Sequence, residues 1–245
     1  SIEAAGASGG AALRQGYLAV KSGMVDVALV VGVEKFTDMV DSGVEDALAT
    51  ATDSDFEAVQ GLTPTSQAAM LMQRYMHEFD VPADGLAAFP LTAHANAVNN
   101  PNAMFRRAIN ESTYLRSGMV SNPLNMFDAA PPADGAAAII LTRPELLPPD
   151  HQHRNVRVVG SASASDMLTL HDRRDPLTFD AARRSVDRAL EKAGVGLDEI
   201  SFFEYHDAYS IYAALSLEAA GFAARGKGWA FASSGGIAPE GRIPC

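Results

Sequence analysis

The first sixteen residues constrain the fold of this chain more than any other segment. Their sequence, SIEAAGASGGAALRQG, predicts a very short strand, a turn of small residues and the start of a helix. The first backbone N–H groups of a helix have no partner within the helix, and the helix dipole favours negative charge beside them. Such a turn can hold an oxyanion, a thiolate or a thioester carbonyl close to the main chain.

The residues that follow complete a strand–helix–strand unit. The helix is predicted over 7–22, and Gly23 suits its C-terminal end. The apolar run from Val25 to Val33 is rich in β-branched residues. Such a run is typical of a strand that is buried on both faces of a parallel sheet. The opening of the chain therefore predicts an α/β fold.

The middle of the chain, residues 38–127, changes to helical patterns with polar interruptions. One helix is predicted to start after Pro64, and a second to start from a cap at Asp84 with a kink near Pro90. Sheet returns after this region, where residues 136–141 predict a short buried strand. The pattern indicates a helical segment inserted into an α/β unit.

The remainder predicts a second α/β unit after a proline-rich linker at 143–154. Strand, turn and alanine-rich helix occur at 1–22 and again at 200–221, which indicates a duplicated architecture. The predicted elements of this unit are a strand at Val156–Ser161, a helix at Asp180–Ala193 closed by Gly194, a strand at Ile200–Glu204 and a helix at Tyr212–Ala220.

Composition excludes several classes of function. The formal net charge of −11 argues against a nucleic-acid groove, which needs a clustered basic face. No apolar run reaches the roughly 20 residues of a membrane span, and no signal peptide is recognisable. The single cysteine, Cys245, excludes an internal disulfide framework and a thiolate metal cluster. We expect a cytoplasmic protein that binds neither nucleic acid nor membrane.

The segment from Glu204 to Ser210 is the strongest candidate site. It follows a predicted strand and precedes a helix, which is where α/β sheets place their ligands. His206 can donate a hydrogen bond to a thioester oxygen or orient a water that does so. Tyr205 and Tyr209 supply additional acids. The alternative is a capping turn with a structural histidine.

Four motifs of this sequence resemble the thiolase superfamily, especially its archaeal and sterol-carrier-type branches. Those proteins have E-A-A-C-A-S-G-G where this chain has Glu3 to Gly10, so that Gly6 stands at the position of the acylated cysteine. The other three are the segment at 206–209, which has tyrosine in place of the phenylalanine of the family's H-D-A-F motif, the H-x-N-A-x-x-N-P segment starting at His94, and the D-G-A-A-A segment starting at Asp134. The resemblance covers nearly the whole chain.

The resemblance implies a layered α/β/α/β/α fold built from two duplicated halves with an inserted helical loop domain, and a homodimer. Residues 1–37 and 127–145 would belong to the first half, 38–126 to the loop domain, and 155–245 to the second half. Thiolases carry further segments on both sides, including a G-H-P segment with a second catalytic histidine. We therefore expect this chain to be truncated at both ends.

The resemblance also implies roles for individual residues. His206 takes the position of the oxyanion-hole histidine, and Gly6 that of the nucleophile. His94 would line the pocket, although packing or helix capping is the alternative for this residue. Coenzyme A would enter as part of the substrate, with no other cofactor and no metal. The remaining positions implied in substrate binding are Ala7, Ser8, Asp207, Ser234, Gly235 and Gly236.

Three functions remain open at this point. The first is an acetyl-CoA acetyltransferase-like enzyme that is altered at position 6. The second is a thiolase-fold retro-aldolase of the steroid side-chain type, which lacks the cysteine, uses tyrosines such as Tyr205 and Tyr209 as acid and base, and needs a small OB-fold partner of the DUF35 type. The third is a non-catalytic scaffold that binds coenzyme A.

Overall fold

Helices and two short antiparallel sheets make up the computed structural model, which describes residues 1–39 and 43–245. The helices are α1 (Ser8–Lys21), α2 (Gly43–Ala49), α3 (Pro64–Glu78), α4 (Ala88–Ala97), α5 (Glu111–Leu115), α6 (Asp180–Ala193), α7 (Ser210–Ala220) and α8 (Gly228–Ser233). The strands are β1 (Val27–Glu34), β2 (Met119–Ser121), β3 (Leu124–Asn125) and β4 (Gly135–Thr142). The mixture of helix and strand agrees with the predicted α/β class.

Strand β1 pairs with β4 in an antiparallel register that runs from Val27 opposite Thr142 to Glu34 opposite Gly135. Helix α1 packs on one face of this pair, where a Cβ added at Gly16 would lie 2.7 Å from the Val30 side chain. The prediction of a parallel sheet was wrong for these strands, as was the prediction that both are buried. Val33 is 74% exposed and Ile140 70% exposed. A run of β-branched residues predicts a strand but specifies neither its partner nor its cover.

Most predicted helices form within a few residues of their expected bounds. Helix α6 has the predicted limits, and Gly194 closes it in the left-handed conformation with a φ of 69°. Helix α3 begins after Thr63, whose side chain accepts a hydrogen bond from the Ser66 amide. The predicted cap at Asp84 was wrong, because α4 starts at Ala88. Pro90 then lies in the first turn, where a proline removes no intrahelical hydrogen bond.

Three predicted strands are absent from the described ranges. Residues 1–4 lead into a single 3₁₀ turn (Ala5–Ala7), and neither 156–161 nor 200–204 forms a strand. A strand needs a paired neighbour for its backbone groups. Phe203 donates its amide to the Pro244 carbonyl at 2.9 Å, and a single bridge joins Ala129 to Tyr209. These isolated bonds do not build a ladder.

The core surrounds α7, whose sequence SIYAALSLEAA is apolar on nearly every side, as expected of a buried helix. Its one acidic residue, Glu218, accepts hydrogen bonds from the Tyr75 hydroxyl at 2.5 Å and from the amides of Gly226 and Gly228 at 2.9 and 2.8 Å. These bonds connect α3, α7 and the start of α8. The largest fully buried side chains of this core include Met72, Tyr75, Ile211, Leu215, Leu217 and Ile243.

The contact between α7 and α8 depends on Gly228. A Cβ added there would lie 2.5 Å from the Ala214 carbonyl oxygen, which belongs to the backbone and cannot rotate away. We expect Gly228→Ala to lower the free energy of unfolding by about 2 kcal/mol, because the two helices must separate. Chemical denaturation measures this change. Gly118→Ala is the matched control, since an added Cβ there meets nothing within 4 Å; a loss of equal size in both variants would contradict the prediction.

The homodimer and the cytoplasmic location stay predictions. So do the domain boundaries, which divide the chain into 1–37, 38–126, 127–145 and 155–245. Within the described part of the chain, none of the helices combines the length and the hydrophobicity required to cross a bilayer.

Candidate functional site

The structure places Gly6 directly against the imidazole of His206, although the two residues are far apart in sequence. A Cβ added at Gly6 would lie 3.0 Å from His206 Nε2 and 3.1 Å from its Cδ2. Both residues are exposed to solvent. Gly6 lies in the 3₁₀ turn that leads into α1, so the first amides of that helix follow it in the chain. The two residues therefore border one surface.

The turn around Gly6 is stabilised by two side chains. Glu3 Oε1 accepts hydrogen bonds from the Ala5 amide at 2.6 Å and from the Ser8 hydroxyl at 2.9 Å. Ser8 Oγ in turn accepts from the Ala4 amide at 2.8 Å. The Ser8 bond, and then the Ala5 bond, lower the pKa of Glu3. The Ser8 hydroxyl is thus engaged within the turn, and Ala7 donates its amide to the Ala4 carbonyl at 3.0 Å.

The segment that carries His206 is attached to residues 128–130. Ala130 donates its amide to the Ala208 carbonyl at 2.9 Å, and Ala129 pairs with Tyr209 in an isolated bridge. Asp128, which precedes these two alanines in the chain, is 2% exposed. This attachment fixes the backbone next to His206.

Asp128 is a buried carboxylate whose importance we did not predict from the sequence. It accepts hydrogen bonds from the Tyr114 hydroxyl at 3.1 Å and from the Asn125 amide at 3.0 Å, and Ser210 also bonds to it. Burial raises the pKa of Asp128, and the hydrogen bonds oppose that shift. The only sequence signal for Asp128 was its position a few residues before the D-G-A-A-A motif. Its burial could not be predicted, because burial depends on contacts distant in sequence.

Tyr205 and Asp207 line a different space from that bordered by Gly6. They contribute, with Phe89, Asn96 and Cys245 among others, to a cleft of about 130 Å³ whose lining does not include His206 or Gly6. Successive side chains of an extended segment point to opposite sides, which separates His206 from its two neighbours. Burial first, and then the nearby charges of Cys245 and Asp207, raise the pKa of Tyr205.

Tyr209 lies in the core and is only 8% exposed. Its hydroxyl shares a hydrogen bond of 2.8 Å with Thr65 of α3. Burial raises the pKa of Tyr209. The structure therefore does not bring the predicted tyrosine acids to the contact between Gly6 and His206.

The remaining predicted binding residues are engaged elsewhere. The ring of His94 packs edge-on against Phe127, and its Nδ1 lies 3.0 Å from the Arg107 carbonyl oxygen. Residues 234–236 end α8: Gly235 has a φ of 84°, and the Ser234 hydroxyl donates to the Phe231 carbonyl at 2.9 Å. Their roles in ligand binding stay predictions. Among the residues described, no cluster of His, Cys, Asp and Glu is arranged to hold a metal ion.

Comparisons with known proteins identify the same family along both parts of the chain. The family model of the thiolase N-terminal domain matches residues 1–145, and that of the thiolase C-terminal domain-like family matches 162–245. The acetyl-CoA acetyltransferase of Methanothermobacter thermautotrophicus is 40% identical over 99% of this chain and 63% of its own length. The benzoylsuccinyl-CoA thiolase subunit BbsB of Thauera aromatica is 32% identical over 99% of this chain and 62% of its own length.

A relative named as a lyase and a solved structure named as an aldolase are also similar. The 17-hydroxy-3-oxo-4-pregnene-20-carboxyl-CoA lyase of Mycobacterium tuberculosis is 27% identical over 99% of this chain and 66% of its own length. The structure described as the Ltp2-ChsH2(DUF35) aldolase superposes with a TM-score of 0.85 at 24% identity, over 98% of this chain and 63% of that one. The chain thus spans less than two thirds of the length of these proteins.

Proposed function

This chain belongs to the thiolase family, and from that premise we propose that the surface between Gly6 and His206 binds the thioester carbonyl of an acyl-CoA and polarises it. The imidazole would donate a hydrogen bond to the carbonyl oxygen, and the amides at the start of α1 would favour negative charge there. Donors aimed at developing charge are a large source of rate enhancement in acyl chemistry. Coenzyme A would act as part of the substrate.

The observation that carries this proposal is the 3.0 Å separation between His206 Nε2 and an added Cβ at Gly6. The family motif has its acylated cysteine at this position. With glycine there, the space beside the imidazole is free for an atom of the ligand, and no nucleophile is available for a covalent acyl-enzyme. The thioester carbonyl would therefore be polarised without transfer of the acyl group to position 6.

Acyl transfer in the manner of the acetyltransferase relatives is the first candidate reaction. The two named relatives at 40% and 32% identity are an acetyltransferase and a thiolase subunit, which supports chemistry on an acyl-CoA. Because Gly6 offers no nucleophile, acyl transfer would require direct attack of a carbanion on the carbonyl carbon of the bound thioester. The partners that we propose are an acyl-CoA and a second copy of this chain.

Carbon–carbon bond cleavage by a lyase is the second candidate, and the glycine at position 6 favours it, since retro-aldol cleavage needs no acyl-enzyme. The aldolase structure includes DUF35 in its name, which supports a small OB-fold partner for this alternative. The predicted acid Tyr205 lines a separate cleft and not the surface between Gly6 and His206, so this reaction would require the substrate to extend from that surface into the cleft. A scaffold that only binds coenzyme A remains the third candidate.

The carbonyl resonance of [1-¹³C]acetyl-CoA tests the proposal directly. We expect this resonance to move downfield when the chain is added, because a hydrogen bond from His206 polarises the carbonyl. The His206→Ala variant, which has no side-chain donor, should lose the shift and bind about tenfold more weakly, as expected for one lost hydrogen bond. NMR titration gives both the shift and the affinity.

His94→Ala is the matched control, because the His94 ring packs against Phe127 and lies outside the proposed surface. We expect this variant to retain the downfield shift. Binding without a downfield shift, or a shift that survives in His206→Ala, would refute polarisation by His206. Absence of binding to the unchanged chain would refute the thioester site itself.

A further inference from the structure

The residue before Gly6 has an unusual backbone conformation. Ala5 has a φ of 48°, in the left-handed region that residues with a side chain rarely adopt. Asp80 is the other residue besides glycine with a positive φ in the described ranges, and it lies at the end of α3, away from the site. A left-handed alanine persists where the surrounding contacts compensate for its strain.

The contacts that compensate are supplied by Glu3 and Ser8. The Ala5 amide donates to Glu3 Oε1 at 2.6 Å, which is short for a bond to a charged acceptor. The same oxygen accepts from Ser8, whose own oxygen accepts from the Ala4 amide. These bonds span Gly6, because they link Glu3, which precedes the turn, to Ser8, the first residue of α1.

We infer that Glu3 and Ser8 are positioning residues, and that their hydrogen bonds hold Gly6 against His206. The inference deepens the proposed function, on which it rests for the identity of the ligand. Without the Glu3 acceptor, the Ala5 amide is released and Ala5 can return to a negative φ. That rotation would move Gly6 and the first amides of α1. His206 would not move with them, because its segment is attached to residues 128–130.

A cysteine introduced at position 6 reports this geometry without any acyl-CoA. Gly6→Cys requires the exposed His206 ring to shift by only a few tenths of an ångström. The introduced thiolate is stabilised by the imidazole and by the start of α1, so its alkylation by iodoacetamide depends on both. Peptide mapping separates position 6 from Cys245, whose pKa burial raises to about 11 and which serves as the slow internal reference.

In the 245-residue Gly6→Cys chain, we expect Glu3→Ala, which removes the acceptor, and Ser8→Ala each to slow alkylation at position 6 about tenfold at pH 7. The pH profile should shift to higher pH in both variants. Ser8→Thr, which keeps the hydroxyl, should restore the original rate. Lys21→Ala is the control on the same helix, because Lys21 contacts Tyr17 at the far end of α1 and should leave the profile unchanged.

An unchanged pH profile in Glu3→Ala or in Ser8→Ala would overturn the positioning role of that residue. Equal slowing by Lys21→Ala would do the same, since it would indicate general weakening of α1. The measurement contains no thioester, so failure of acetyl-CoA to bind would refute the proposed function and leave this result intact.

Discussion

The Gly6→Cys chain is expected to form a covalent acyl adduct when it is incubated with acetoacetyl-CoA, whereas the unchanged chain is expected to form none. A thiol at position 6 would lie beside His206 and at the start of α1, where a thiolate is stabilised. Intact-protein mass spectrometry detects the added acetyl group, and peptide mapping assigns it. A stable adduct on any residue of the unchanged chain would contradict the expectation.

The same variant discriminates between the candidate reactions. If the chain is an altered acetyltransferase, we expect thiolysis of acetoacetyl-CoA to rise about a hundredfold or more in Gly6→Cys. If it is a lyase, thiolysis should stay at background, and retro-aldol cleavage should fall in Tyr205→Phe only if the substrate reaches the cleft that Tyr205 lines. A scaffold would bind coenzyme A and show neither activity.

Gly10→Cys is the matched control for this experiment. It places a thiol in the first turns of the same helix, at a glycine around which an added Cβ meets nothing within 4 Å. This thiol lacks the contact with His206. We expect no acyl adduct above background at position 10, and equal acylation at both positions would show that the imidazole contributes nothing.

Asp128→Ala is expected to lower the free energy of unfolding by about 3 kcal/mol. The substitution leaves the Tyr114 hydroxyl and the Asn125 amide buried without their acceptor, and such groups are costly. Asp128→Asn retains one acceptor oxygen and should lose less. Denaturation in urea measures both variants, and a loss below about 1 kcal/mol in Asp128→Ala would contradict the importance of this carboxylate.

The stability of the unchanged chain should also depend on the ionisation of Asp128. Burial raises the pKa of this carboxyl above its value in the unfolded chain, so the folded state binds the proton more tightly. The stability that this proton binding contributes is therefore fully present below the pKa of the carboxyl in the unfolded chain, which is about 4. It is lost as the pH rises through the pKa of Asp128 in the folded state. Asp128→Asn should remove this component, and an unchanged pH dependence would refute it.

Local chemistry in the sequence was sufficient for the helices. The limits of α6 follow from its apolar periodicity and from Gly194, and the start of α3 follows from Thr63 and Pro64. The motifs around Gly6 and His206 also sufficed to predict the thiolase family, which the family models confirm over 1–145 and 162–245. These features depend on residues within about one helical turn of one another, which a sequence displays directly.

Contacts between distant residues required the tertiary structure. The apolar run in β1 predicts a strand, but only the fold decides that β4 pairs with it in the antiparallel sense and that Val33 remains exposed. Likewise, the sequence places Tyr205 and His206 side by side, whereas the extended backbone points them to different spaces. The burial of Asp128 and the contact of His206 with Gly6 arise from packing between segments remote in sequence, and local propensity does not encode such packing.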